Sequence, residues 1–241
     1  MASEDPGPER RMIRLDSGGR LPGPHIHTFD GSLPIMEFVY VTKRYDLFDL
    51  SFPHGFLAAK QDDRVALWTQ RIRDKGFFVE RRWAEQDSSL KQVIPYTLVV
   101  HNQEVLLLKR LNAGGESRLH GKLSIGVGGH INPIDEVTEA EGVLEAGCRR
   151  ELDEELVIES PYTLEPVGVI NDESGDVGSV HFGLVQIARC ETPDVRVRET
   201  DILEGSFTSL EALRELAGRE RDRLETWSAL IIDQLEAALG S

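Results

Sequence analysis

Three things are scarce in this chain. Of its 241 residues only Cys148 and Cys190 are cysteines, and neither has a partner at metal-ligand or redox spacing. That argues against a disulfide framework, a zinc ribbon and a thiol redox centre, and leaves two buried thiols as the expectation. Long apolar runs are missing too: no stretch approaches the roughly 20 residues needed to cross a bilayer, and no signal-peptide apolar region follows Met1. The expected compartment is the cytoplasm, with no membrane partner. Positive charge is short, with 27 Lys and Arg against 42 Asp and Glu, a net charge of -15. Duplex binding draws on clustered basic residues to displace counterions, so no nucleic-acid duplex is expected as a partner. A small anionic substrate would need a local cation, either a metal ion or a few arginines.

What is present is enough for a core, since 40% of the residues are hydrophobic. Residues 1–35 differ from the rest: Pro6, Pro8, Pro22, Pro24 and Pro34 alternate with glycines and charges without apolar periodicity, which reads as a disordered tail. Residues 36–92 read as an N-terminal extension packed on the main domain. In it, Glu37 to Thr42 has the pattern of a strand, Asp62 to Lys75 places Val65, Leu67, Trp68 and Ile72 at roughly helical spacing, and Phe77-Phe78-Val79 suggests a further strand.

Residues 93–241 carry the stronger pattern. Val93 to Val100, a polar turn at Asn102-Gln103 and Val105 to Leu108 predict a β-hairpin dense enough in β-branched residues to be mostly buried. A glycine-rich run, Leu123-Ser124-Ile125-Gly126-Val127-Gly128-Gly129-His130, precedes a carboxylate-rich helix that extends to about Leu156. Strands are predicted again at Val167 to Ile170 and Val180 to Ile187. Helices are predicted at Ser209 to Ala217 and, as one amphipathic element, at Arg219 to Leu239.

The helix carries the chemistry. Residues three and four apart share a helical face, so Glu151, Glu154 and Glu155 project toward one region, where like charges cost a few tenths of a kcal/mol per pair unless a cation sits between them. Arg150, four residues before Glu154, relieves part of that repulsion. A hard divalent cation would relieve more, because oxygen ligands are what it prefers. A solvated acidic surface helix has a similar composition; the preceding Gly-Gly turn, which permits close backbone approach, separates the two readings.

Arg150-Glu151-Leu152-Asp153-Glu154-Glu155-Leu156-Val157-Ile158 resembles the second half of the Nudix hydrolase box, which reads Gly, five residues, Glu, seven residues, then Arg-Glu-apolar-any-Glu-Glu-any-Gly-apolar. Val157 stands where the family has its closing glycine. The first half is stretched. Counting back from Arg150 at family spacing lands on Gly142 and Glu136, which match nothing, whereas counting forward from Gly129 reaches Asp135, a carboxylate where the family has one. Gly129 lies 21 residues before Arg150 and the family uses 14. Seven extra residues make about two helical turns and would keep the glutamates on one face. Alternatively they enlarge the loop: Thr138 and Glu141 have capping-box spacing, which would start the helix there and leave Asn132 to Val137 outside it. On the helical reading Gly142 and Gly147 fall inside the helix at a cost of roughly 1 kcal/mol each, and Val157 requires an exit other than the left-handed one that glycine permits.

The resemblance implies an α/β protein of the α+β type, a Nudix-like α/β/α sandwich with a mixed sheet. It implies Mg²⁺ or Mn²⁺ held by Glu151, Glu154 and Glu155 with a carbonyl of Gly128 or Gly129, catalysis by Glu151, Glu154 and Arg150, and hydrolysis of a diphosphate bond in a nucleoside diphosphate linked to another group. Glu199, Asp201 and Glu204 are candidates for a separate base. Arg110, Arg118, Lys122 and His130 are the candidate contacts to a small-molecule diphosphate, and a homodimer stays open. The stretched first half and Val157 leave a second expectation, a Nudix-fold nucleotide or nucleotide-sugar binding or regulatory protein without turnover. Isomerisation of a prenyl diphosphate would need a nucleophilic cysteine and an acid pair that the sequence does not offer.

Overall fold

The computed structural model describes residues 36–49, 51–111, 120–137, 142–198 and 200–240. The stretch 1–35, together with Arg118, Thr138, Glu141 and Glu199, lies outside them. The N-terminal residues from Met36 form β1 (Phe38–Lys43), the short α1 (Arg44–Leu47), β2 (Gly55–Ala58), α2 (Arg64–Lys75), β3 (Phe77–Glu80) and the short α3 (Arg81–Ala84). The hairpin follows as β4 (Leu90–His101) and β5 (Glu104–Arg110), turning at Asn102, whose φ of 54° is the left-handed conformation that asparagine tolerates. The glycine-rich run supplies two short strands, β6 (Leu123–Ser124) and β7 (Val127–Gly128). A 3₁₀ turn at Pro133–Val137 leads toward α4 (Val143–Glu155), then β8 (Leu156–Ile158), β9 (Tyr162–Asn171), α5 (Asp176–Ser179), β10 (His181–Cys190), β11 (Val195–Val197), β12 (Leu203–Ser209) and the closing α6 (Leu210–Arg219), α7 (Thr226–Ile232) and α8 (Leu235–Leu239).

Ten of these strands make one mixed sheet with the main path β12-β5-β4-β10-β9-β2, while β8 and β11 pair separately. β4 lies at its centre and runs parallel to β10 over ten residue pairs, from His181 opposite Gln92 to Cys190 opposite His101. The opposite side of β4 is shared by three partners: β5 at the hairpin end, β7 at Tyr96 and Thr97, and β1 at residues 90 to 92. The N-terminal strands are thus built into the same sheet, β1 against β4 and β2 against β9.

Both faces of the sheet are covered, which explains why β4 is buried along nearly its whole length rather than alternating with polar positions. Leu98 and Val100 pack with Val185, Ile187, Leu213, Ile231 and Leu235 under the C-terminal helices. Their neighbour Val99 faces the other way and packs with Ala188 and Leu152 of α4, and Val93 joins Phe182, Leu144 and Trp68 of α2. No helix among the described residues is long and apolar enough to cross a membrane.

Two expectations about helices are corrected. The segment from Arg219 to Leu239 is not one helix: a 3₁₀ turn at Arg221–Arg223, α7 and α8 divide it. The break comes from strand-like pairing of Leu224 with Leu123 and from Glu225 N–H donating to the Leu123 carbonyl at 2.9 Å. Gly142 is not inside a helix either. It is the extended residue preceding α4 (φ -68°, ψ 158°), so the interior penalty does not apply to it.

Candidate functional site

The seven extra residues precede the helix instead of lengthening it. α4 starts at Val143, and the chain between Gly129 and the helix contains the 3₁₀ turn that carries Asp135. That turn packs tightly on α4 at Gly147, where an added Cβ would lie 2.8 Å from Ile131 and 3.1 Å from Asp135 Oδ2. The small residue lets the acidic turn lie against the helix.

Asp135, 97% shielded at its side chain, accepts from Arg150 Nε at 2.9 Å and from Arg150 Nη2 at 3.1 Å, and its Oδ2 also accepts from the Asn132 N–H at 2.8 Å. A two-pronged arginine–carboxylate pair fixes direction as well as distance. So fixed, Arg150 donates Nη2 to the His130 carbonyl at 2.6 Å, and its Nη1 reaches Glu151 Oε1 at 2.7 Å and Glu154 Oε1 at 3.1 Å. One cationic nitrogen therefore has an oxygen from each glutamate beside it. Burial opposes the charge on Arg150, but its bonds to Asp135 and Glu151 outweigh that and raise its pKa. Burial pushes the Glu151 carboxyl up, Arg150 pulls it back down, and Glu154 and Asp135 push it up further.

Glu151 is pressed against the glycine turn: an added Cβ on Gly129 would stand 2.1 Å from Glu151 Oε2. Gly128, paired with Tyr96, is equally confined on its other side, where a Cβ would meet the Pro95 carbonyl at 2.3 Å. Glu155, on the same helix, is half-buried. Among the described residues no three His, Cys, Asp or Glu side chains are gathered into a metal-sized cluster. The donor set nevertheless suits a hard cation. Glu151 and Glu154 offer oxygens around one point of positive charge, and the Glu151 carboxylate lies directly against Gly129.

Arg110 Nε binds Glu225 Oε1 at 2.8 Å, and the Lys122 ammonium donates to the Asp222 carbonyl, so both basic side chains brace the C-terminal segment. Glu204 pairs with Lys109 at 3.1 Å, and Asp201 is exposed. His130 adjoins the site through its carbonyl. Its ring is pushed down to about 3 by burial and then by Arg81, His181 and Arg150, and it is neutral.

Two supports of the helix carried no sequence signal. At its start, Arg73 of α2 forms a two-pronged pair with Glu145, the longer prong at 3.0 Å. At its end, Arg198 donates to the carbonyls of Asp153 at 2.8 Å and Leu156 at 3.3 Å, a cation where the helix dipole is negative. Val157 explains the missing glycine. The chain leaves α4 directly in the extended conformation, with Leu156 at φ -123° and ψ 154°, and Val157 pairs with Arg196 in the ribbon of β8 and β11. A left-handed exit is not used.

No family model matches the chain. It is 36% identical over 206 residues to the protein YmaB of Bacillus subtilis (strain 168), covering 83% of this chain and 98% of YmaB. Among solved structures it is similar to Tm1382, a candidate Nudix hydrolase, at 30% identity and a TM-score of 0.67, covering 83% of this chain and 98% of that one.

Proposed function

The chain belongs to the Nudix family, and from that membership we propose that it is a divalent-metal-dependent hydrolase of the diphosphate bond in a nucleoside diphosphate linked to another group, working in the cytoplasm. The observation that carries the proposal is the convergence of Glu151 and Glu154 oxygens on one cationic nitrogen, with the Glu151 carboxylate against Gly129. Glu151, Glu154 and Glu155, with the Gly128 carbonyl, would hold Mg²⁺ or Mn²⁺. Bound there, the ion would neutralise the diphosphate and activate a water for attack at phosphorus.

The chain's own residues supply position and proton handling. Asp135 holds Arg150, and Arg150 sets the direction of both glutamates, so the acidic oxygens are placed before substrate arrives. Glu151, the more buried of the two, is suited to take a proton from water. His130, neutral and next to Gly129, is suited to contact the part of the substrate beyond the phosphates.

A screen of nucleoside diphosphate derivatives with Mg²⁺ or Mn²⁺ tests this. Glu154→Gln is expected to lower turnover by at least about 100-fold. Metal-dependent turnover unchanged by that substitution would overturn the assignment. The second reading, a binding or regulatory protein, draws on the stretched first half of the box; nucleotide binding with no turnover of any substrate would favour it.

A further inference from the structure

The last turn of α4 is completed from outside the helix. The closing carbonyls of a helix have no partner within it, and a left-handed exit satisfies some of them with N–H groups of the residues that follow. Here the chain leaves extended at Leu156, whose own N–H still reaches the Leu152 carbonyl. Beyond that point one residue, just past β11, takes over. Arg198 donates its backbone N–H to the Glu155 carbonyl at 2.8 Å, its Nε to the Asp153 carbonyl at 2.8 Å and its Nη2 to the Leu156 carbonyl at 3.3 Å. The guanidinium therefore bridges two carbonyls that flank Glu154 and Glu155 in the chain. Glu151 and Glu154 differ in how far they depend on this bridge. The Glu151 side chain is 13% exposed, lies against Gly129 and meets Arg150 at 2.7 Å, so its surroundings hold it. The Glu154 side chain is 58% exposed and meets Arg150 at 3.1 Å, so its position follows the backbone of the last turn.

We propose that Arg198 is a positioning residue for the metal site: by bridging the Asp153 and Leu156 carbonyls it keeps the last turn wound, and so aims the Glu154 carboxylate at the cation. A side chain that arrives 41 residues after Val157 thus replaces the closing glycine of the box. The inference rests on the metal-dependent reading above. Charge alone would act in the opposite direction. A guanidinium repels a cation bound nearby, so its loss, acting through electrostatics, tightens cation binding, whereas an unwound last turn weakens it. The sign of the effect separates positioning from charge.

The test reads Mn²⁺ binding to the full chain, from the electron paramagnetic resonance of the free ion, without substrate and well below the melting temperature. Wild type, Arg198→Ala, Glu154→Gln and the double variant form the cycle. Arg198→Ala is expected to weaken Mn²⁺ binding by at least about tenfold. In the Glu154→Gln background the same substitution is expected to cost no more than about twofold, because the group it positions is gone. Affinity unchanged or tightened in Arg198→Ala, or an equal loss in both backgrounds, would overturn the proposal. If Arg198→Ala does not fold, the cycle is run with Arg198→Lys. Its single ammonium keeps the charge but lacks the planar fork that spans two carbonyls, so weakened binding that disappears with Glu154→Gln is again expected, and wild-type affinity would overturn the proposal. A wild-type chain that binds no Mn²⁺ sinks the positioning together with the metal-dependent reading. Coupled losses in the cycle with no turnover of any nucleotide substrate support the positioning and sink the hydrolase reading alone.

Discussion

Substituting Gly129 by alanine separates the site from the fold. The added Cβ would stand 2.1 Å from Glu151 Oε2, 2.5 Å from its Cδ and 2.8 Å from its Oε1, and these atoms are the end of a flexible side chain. The carboxylate yields while the backbone stays. To reach ordinary contact it must retreat by more than about 1 Å, and a displacement of about 1 Å at reacting groups costs on the order of 100-fold in rate. Gly129 does not have a positive φ, so alanine fits its backbone, and reduced freedom of the unfolded chain stabilises such a variant by about 0.4–1 kcal/mol. The expectation is therefore a melting temperature unchanged or raised by up to about 4 °C, Mn²⁺ affinity weakened, and turnover down about 100-fold. Gly128→Ala is the counterpart. Its Cβ would meet the Pro95 carbonyl, a backbone atom that cannot step aside, so stability falls by about 1–3 kcal/mol. Calorimetric melting with Mn²⁺ titration and a turnover assay reads both variants. A Gly129→Ala protein with unimpaired metal affinity and rate, or one that loses more stability than Gly128→Ala, would refute the reasoning.

Asp135→Asn removes the charge that directs Arg150 and leaves a buried guanidinium short of a partner, so a loss of about 3 kcal/mol is expected in denaturant unfolding; a loss below about 1 kcal/mol would show that Asp135 is not the anchor. Lys91, completely buried and 2.8 Å from Glu173, is pushed down from 10.5 to about 8 by burial, with Glu173 pulling it back up. Between those values the unfolded chain binds a proton that the folded one has lost, so wild-type stability should rise with pH relative to Lys91→Met, by about 3 kcal/mol across the window, and the penalty is complete below pH 8. Glu173 also pairs with Arg44 at 2.6 Å, so the substitution does not leave its carboxylate without a cation. A difference in unfolding free energy that stays flat from pH 7 to pH 10 would refute it.

Local chemistry was legible in the sequence and long-range pairing was not. The β4–β5 hairpin shows as two β-branched runs around Asn102-Gln103, because burial on both faces and a left-handed asparagine both leave composition behind. The acidic helix shows through its spacing, and Asp135 shows once the count runs forward from Gly129. The division of the last helix does not show. No proline or glycine marks it, and its cause is a bridge to Leu123, a hundred residues earlier. The partners of Arg110 and Lys122, Glu225 and the Asp222 carbonyl, do not show in the sequence either, because only the fold brings them in. The supports from Arg73 and Arg198 come likewise from segments with no motif of their own.

The junction between α4 and β8 has a mechanical consequence. Because the helix passes into an extended strand without an intervening loop, the height of the glutamates along the helix axis is geared to the small ribbon that ends at Val197, and Arg198 locks that gear by gripping the last turn. The glutamates of the last turn are therefore tied, through one continuous stretch of backbone and the Arg198 grip, to a ribbon that lies outside the acidic site.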